Sequence, residues 1–259
     1  MFALFVCSHG FAQVIQTDRP NQTEASSTVP AKSLQIETGI GFNTTATSSA
    51  YRGIQYEGYN RQITLPTSVF RLGITKQVEL RVVNQIELNS AFNPRVTESS
   101  YRSNFSNFQL GAKFQLYKKE GAATEALILG HLIIPKGNSN WNQSSTDYFS
   151  KLCVSHKISD NFSIGYNVGY RTVQTLDYFD YSCAFSFTIT DKLSVFAEQY
   201  GQLSLSNLAV APPLDDVFGY DTGIAYLLND RLQLDWVFGS AINVDMNFVS
   251  IGCSALIMK

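Results

Sequence analysis

Phe162-Ser-Ile-Gly-Tyr-Asn-Val-Gly-Tyr-Arg-Thr172 alternates with a period of two. Phe162, Ile164, Tyr166, Val168 and Tyr170 share one face of an extended chain. Ser163, Gly165, Asn167, Gly169 and Arg171 share the other. Successive side chains of a strand point to opposite sides, so the stretch predicts a strand with one apolar and one polar face. Tyr181, Cys183, Phe185, Phe187 and Ile189 repeat the pattern against Ser182, Ala184, Ser186 and Thr188. Leu232, Leu234, Trp236 and Phe238 repeat it against Gln233, Asp235 and Gly239. Near the start, Leu34, Ile36, Ile40 and Phe42 oppose Gln35, Glu37, Gly39 and Gly41. Helical spacing is nearly absent.

The strand ends carry a repeat. Ile158-Ser-Asp-Asn-Phe162-Ser-Ile164 matches Ile189-Thr-Asp-Lys-Leu193-Ser-Val195 and Leu228-Asn-Asp-Arg-Leu232-Gln-Leu234; Ile74-Thr-Lys-Gln-Val78-Glu-Leu80 matches more loosely. Each reads as a tight hairpin turn. The intervening connections are longer and polar: 43–59, 90–103, 136–145 and 204–216. Short turns at one end and long loops at the other are the asymmetry of an outer-membrane barrel. Twelve runs follow, starting near Ser33, Arg61, Val78, Asn104, Thr124, Asp147, Phe162, Tyr178, Leu193, Phe218, Leu232 and Phe248. An even count puts both ends of the barrel on the short-turn, periplasmic side. The run Glu125–Ile134 is apolar on both faces, and its pattern does not assign a lumen side.

Composition agrees with this class. The chain has 259 residues, a formal net charge of −2, 13% aromatic and only 15% charged residues, against about 25% charged in a typical soluble domain. Near-zero net charge excludes the basic footprint of a nucleic-acid binder. No apolar run approaches the ~18 residues of a membrane helix. What remains is a single all-β barrel that crosses an outer membrane, or a secreted soluble β-sandwich whose polar face meets water. Long strands and apolar faces rich in Tyr and Phe favour the barrel.

The N-terminus, Met1 to Ala12, ends with Gly10 and Ala12 before Gln13, as a signal peptide does; a short strand is the other reading. The chain thus divides into a signal-peptide remnant (1–12), a periplasmic N-terminal segment (13–32) and a barrel (33–259). Cys153, Cys183 and Cys253 form no disulfide framework and read as small apolar strand residues.

The polar face supplies the candidate functional residues. Glu37, Arg71, Glu79, Arg81, Glu87, Lys113, Lys151, Arg171, Asp180, Glu198, Asp221 and Asp235 all oppose apolar faces, so in a barrel they line the lumen. They form either a solute path or paired wall residues. The seven acids outnumber the five bases by two, which predicts weak cation preference once cross-strand pairs are discounted. Asp18 and Glu24 read as a cation site, as part of a solvated segment, or as part of a lumen plug.

Thr17-Asp-Arg-Pro-Asn-Gln-Thr-Glu24, then Val29-Pro30 and Leu34-Gln-Ile-Glu-Thr-Gly39, resembles the opening of the "MetA-pathway of phenol degradation" family. Further matches follow in family order: Leu65-Pro-Thr67, Arg71-Leu-Gly-Ile74, Glu79-Leu-Arg81, Gly111-Ala-Lys-Phe114, Ile134-Pro-Lys-Gly137, Gly165-Tyr-Asn-Val-Gly169 and Leu232-Gln-Leu-Asp235. The resemblance implies an outer-membrane β-barrel transporter of a Gram-negative bacterium. Its partners would be outer-membrane lipid, the barrel-insertion machinery and a small solute. The C-terminal Ile257-Met-Lys259 departs from the aromatic residue that usually ends such barrels.

The expected function is passive or facilitated passage of small solutes, hydrophobic or aromatic ones among them, through a polar lumen. No catalytic, cofactor or metal residues are expected. An outer-membrane enzyme acting on lipid is the rival reading; it would need His156 to meet a Ser or Asn from a neighbouring strand. Ser155 cannot serve, because adjacent strand residues point to opposite faces.

Overall fold

The computed structural model describes residues 15–19, 22–51, 54–92, 100–119, 121–134, 146–173, 176–205 and 216–258. The expected signal-peptide remnant, the loop 136–145 and most of the loop 204–216 therefore lie outside the described residues. Twelve strands run in chain order: β1 (Leu34–Tyr51), β2 (Ile54–Gly73), β3 (Val78–Phe92), β4 (Ser100–Lys118), β5 (Thr124–Ile134), β6 (Asp147–Ser159), β7 (Phe162–Val173), β8 (Leu176–Thr188), β9 (Leu193–Ser204), β10 (Val217–Asn229), β11 (Leu232–Ala241) and β12 (Met246–Met258). Every strand pairs antiparallel with its neighbours in sequence, and β1 pairs with β12 from Leu34↔Met258 to Thr45↔Met246, closing the barrel. Closure leaves no unpaired strand edge, the condition for crossing hydrocarbon with strands.

The alternation sets the two faces. In β11, Gln233, Asp235, Val237 and Gly239 are buried, while Leu234, Trp236 and Phe238 are exposed. In β7, Asn167 is buried between exposed Tyr166 and Val168. The exposed apolar residues belong to the outer wall. The two-sided run β5 resolves the same way: Leu127, Leu129, His131 and Ile133 are buried, and Ile128, Leu132 and Ile134 are exposed. Its inner face is apolar because Leu127 and Leu129 pack with Cys153 and Phe149 inside the barrel.

Threonine closes two of the tight turns. The Thr190 hydroxyl accepts the Lys192 and Leu193 N–H groups, and the Thr75 hydroxyl accepts those of Gln77 and Val78. A side-chain oxygen taking N–H groups two and three residues on stabilises such turns.

The connection expected at 43–59 is instead strand. β1 and β2 stay paired as far as Tyr51↔Ile54. The run Thr44-Thr-Ala-Thr-Ser-Ser49 is polar, but threonine is a good strand former; the hairpin continues beyond the apolar belt, where polar residues suit both faces. β3 and β4 likewise extend to Phe92 and from Ser100, into the expected loop 90–103.

Turn length orients the barrel. An epitope tag near Pro213 should be reachable on intact cells, and one at Asp191 should be reachable only after the outer membrane is permeabilised. Labelling in the reverse order would invert the orientation.

Candidate functional site

Residues 15–19 and 22–33 belong to the N-terminal segment that precedes the barrel. They run inside it. The Ile15 N–H donates to the Asp230 carbonyl in the β10–β11 turn (3.3 Å). At the other end, Lys32 donates to the Gly73 carbonyl (2.7 Å) and Gly73 to that of Ser33 (2.9 Å). Both ends are thus tied at the short-turn end. Lys32 takes a left-handed conformation (φ 61°) to turn the chain into β1. Gly73 is required here, since a Cβ would fall 2.0 Å from the Pro30 carbonyl oxygen.

Between these ties the segment is held by side chains of the wall. Arg71 and Arg81 face each other in the β2–β3 register, and Lys113 stands on the next strand. Directly opposed like charges destabilise a sheet. Asp18 answers them: its carboxylate lies 2.6 Å from Lys113 Nζ, 3.1 Å from Arg81 and 3.3 Å from Arg71. Burial opposes the charged form of Asp18, but the Arg71, Lys113 and Arg81 cations outweigh it and hold this carboxyl well below the usual carboxylate range. Arg71 also binds Glu37 (2.7 Å) and Glu79 (2.8 Å), and Arg81 binds Glu24 (2.8 Å). Glu37 accepts the backbone N–H groups of Asp18 and Arg19, each at 3.0 Å.

The far side of the segment is held by neutral donors and one ion pair. Arg19 reaches Asp235 (3.2 Å) and Ser250 (2.8 Å). Its guanidinium lies over Gly39 and Gly252, where a Cβ would come within 2.3 and 2.5 Å of it; bare backbone makes the room. Glu198 accepts the Gln22 N–H (2.8 Å) and the Thr23 hydroxyl. Ser26 meets Ser155, and Val29 donates to Glu79 (2.9 Å).

The twelve residues singled out from the sequence separate into two groups. Glu37, Arg71, Glu79, Arg81, Lys113, Glu198, Asp221 and Asp235 are buried; Glu87, Lys151, Arg171 and Asp180 are half-buried. Glu37, Arg71, Glu79, Arg81 and Lys113 come together around Asp18, while Glu198 and Asp235 hold the segment elsewhere. Asp221 faces Glu198 in the β9–β10 register. Arg171 pairs with Asp180 (2.8 Å), and Glu87 accepts from Gln85 (2.6 Å). The inward roles of Arg19 and Thr23 are additions, whereas a lumen plug was one of the readings of Asp18 and Glu24.

Above the segment, towards the long-loop end, lies a cavity of about 510 Å³. Gln22 contributes to its floor, and Phe149, Lys151, Arg171, Tyr200 and Phe248 to its wall. Ser155 turns to Ser26 in the lumen. His156 bonds Thr124 (2.8 Å) and Tyr166 (3.1 Å), and among the described residues it bonds neither a serine nor an asparagine. Among the described residues no group of three or more His, Cys, Asp or Glu is placed to hold a metal ion.

From Thr17 to Gly252, including the motifs that fill the lumen and form its wall, the sequence matches the model of the family described as "Putative MetA-pathway of phenol degradation". The chain belongs to this family. Among solved structures it is similar to the COG4313 outer membrane channel from Pseudomonas putida F1, with 10% identity, 92% of this chain and 100% of that chain covered, and a TM-score of 0.63. It is also similar to the NanC porin (8% identity, 85% and 100% covered, TM-score 0.52). A third likeness is to the translocator domain of the autotransporter NalP from Neisseria meningitidis (9% identity, 88% and 89% covered, TM-score 0.52). At such identities the likeness is one of fold, that of an outer-membrane β-barrel. No curated protein sequence matches the chain. Within this family member, the conjunction of barrel, inner segment and cavity defines the candidate site.

Proposed function

We propose that the chain is an outer-membrane channel for small solutes, closed at its short-turn end by its own residues 15–19 and 22–33. The observation that carries this reading is the cavity floor: Gln22 of the inner segment lines the cavity and donates its N–H to Glu198 of the wall. Such a floor can leave without unpairing a strand. Solutes would enter from the long-loop side and be selected by lumen width and wall charge, by passive or facilitated diffusion. The partners of this reading are the solute, outer-membrane lipid around the apolar belt, and the machinery that inserts barrels.

We assign no enzymatic role. A nucleophile–base pair needs both groups on one face within hydrogen-bond reach. Ser155 and His156 lie on opposite faces and are engaged by other partners.

Planar-bilayer recording and liposome swelling with the refolded full chain test the proposal. The intact chain should pass little current, with brief openings, and sustained steps should appear once the inner segment is displaced. A folded barrel that stays silent with the segment displaced, and passes no solute, would contradict the channel reading.

A further inference from the structure

We infer that the cavity above the inner segment is a binding site for a small aromatic carboxylate, with Lys151 as its charged contact. The inference deepens the channel reading and rests on it. The acids that outnumber bases along the wall are largely engaged with the segment: Glu37 and Glu79 with Arg71, Asp235 with Arg19, Glu198 with Gln22 and Thr23. Among the described residues the charged ones lining the cavity are Lys151, Arg171 and Asp180; two cations less one acid leave a net charge of +1.

Those two cations differ. Arg171 is engaged, donating to Asp180 (2.8 Å) and to Gln202 (2.9 Å). Lys151 is not. Among the described residues it forms no ion pair, and its polar contact is a long one, 3.5 Å to the Gln22 carbonyl. A half-buried ammonium without a counter-ion favours an anion beside it, because the low-dielectric wall strengthens the attraction.

The surroundings choose the kind of anion. The Lys151 ammonium lies 5.8 Å from the centre of the Phe149 ring, and that ring is fixed by stacking on His131 at 4.6 Å. Tyr200 and Phe248 lie flat against Gly219 and Gly239, where a Cβ would come within 2.3 and 2.2 Å of the rings. Bare backbone under each ring keeps it against the wall. Fixed rings beside a single free ammonium match a flat apolar ring that carries one negative charge at its edge. A volume of about 510 Å³ falls in the range of pockets for small organic ligands.

The test uses three fluorinated probes of nearly equal shape: 4-fluorobenzoate, 4-fluorobenzyl alcohol and protonated 4-fluorobenzylamine. Each is titrated by fluorine NMR into the refolded full chain in micelles, with empty micelles as the blank. Benzoate should bind, and alcohol and amine should stay at the blank. Lys151→Gln should weaken benzoate binding about tenfold, the worth of a charge-assisted hydrogen bond, while Lys151→Arg should retain most of it. Heat-modifiable gel mobility confirms that each variant is folded. Amine binding equal to benzoate, or benzoate binding unchanged in Lys151→Gln, would overturn the site. Benzoate binding by a barrel that never conducts would support the site and defeat the channel reading. Conduction without benzoate binding would do the reverse.

Discussion

Replacing Asp18 by asparagine should release the inner segment. The substitution removes the anion shared by Lys113, Arg81 and Arg71 and leaves those cations with Glu37, Glu79 and Glu24. Because these carboxylates remain, the cost should fall below the roughly 3–5 kcal/mol of leaving a buried charge unpaired. The barrel's strand pairing does not depend on this carboxylate, so the loss should fall on the docked segment. Hydrogen exchange reads the result residue by residue. The Asp18 and Arg19 N–H groups, bonded to Glu37 in the native chain, should lose protection, while the mid-strand amides of β7 and β11 keep theirs. Unchanged protection at residues 18 and 19 would show that the segment is held by something other than this cluster.

A cation placed on the outer wall should be costly in proportion to its depth. Val168 lies mid-strand in β7 and is exposed; Leu228 is equally exposed but lies one residue from the end of β10. Val168→Arg should cost about 2–4 kcal/mol in reversible folding into lipid vesicles, and Leu228→Arg about 0–1 kcal/mol, the depth dependence of a lipid-facing arginine. Equal costs at both positions would mean that the apolar face of β7 does not meet hydrocarbon at mid-depth.

The barrel was legible because period-two alternation is a local property. Phe162 to Thr172 carries its own two faces, and the repeats at Asp160, Asp191 and Asp230 mark where the chain turns. Legibility failed where locality did. β5 has apolar residues on both faces because Leu127 and Leu129 pack inside the barrel with Cys153 and Phe149, partners that no window around β5 contains. The hairpin 43–59 resembled a loop because strands that leave the lipid belt no longer need an apolar face.

The inner segment was the least legible part. The described residues 15–19 and 22–33 form no strand and so show no period. What holds Asp18 is Arg71, Arg81 and Lys113, from three strands, and their convergence exists only after closure. Alternation puts the charges on the polar face of each strand, but their tally could not carry selectivity. Seven acids and five bases say nothing about which of them meet solute. Most hold the segment, and those at the cavity, Lys151, Arg171 and Asp180, have the opposite net sign.

The channel reading requires that residues 15–19 and 22–33 close the lumen from within. The Oγ atoms of Ser26 and Ser155 lie 2.5 Å apart, so Ser26→Cys with Ser155→Cys can lock the segment to β6 by a disulfide once the chain's four native cysteines are replaced by alanine. In an Asp18→Asn background, planar-bilayer current should be absent from the oxidised protein and should appear, in the same membrane, on addition of a reductant. A disulfide that fails to form, or a current that is the same before and after reduction, would contradict a lumen closed by this segment.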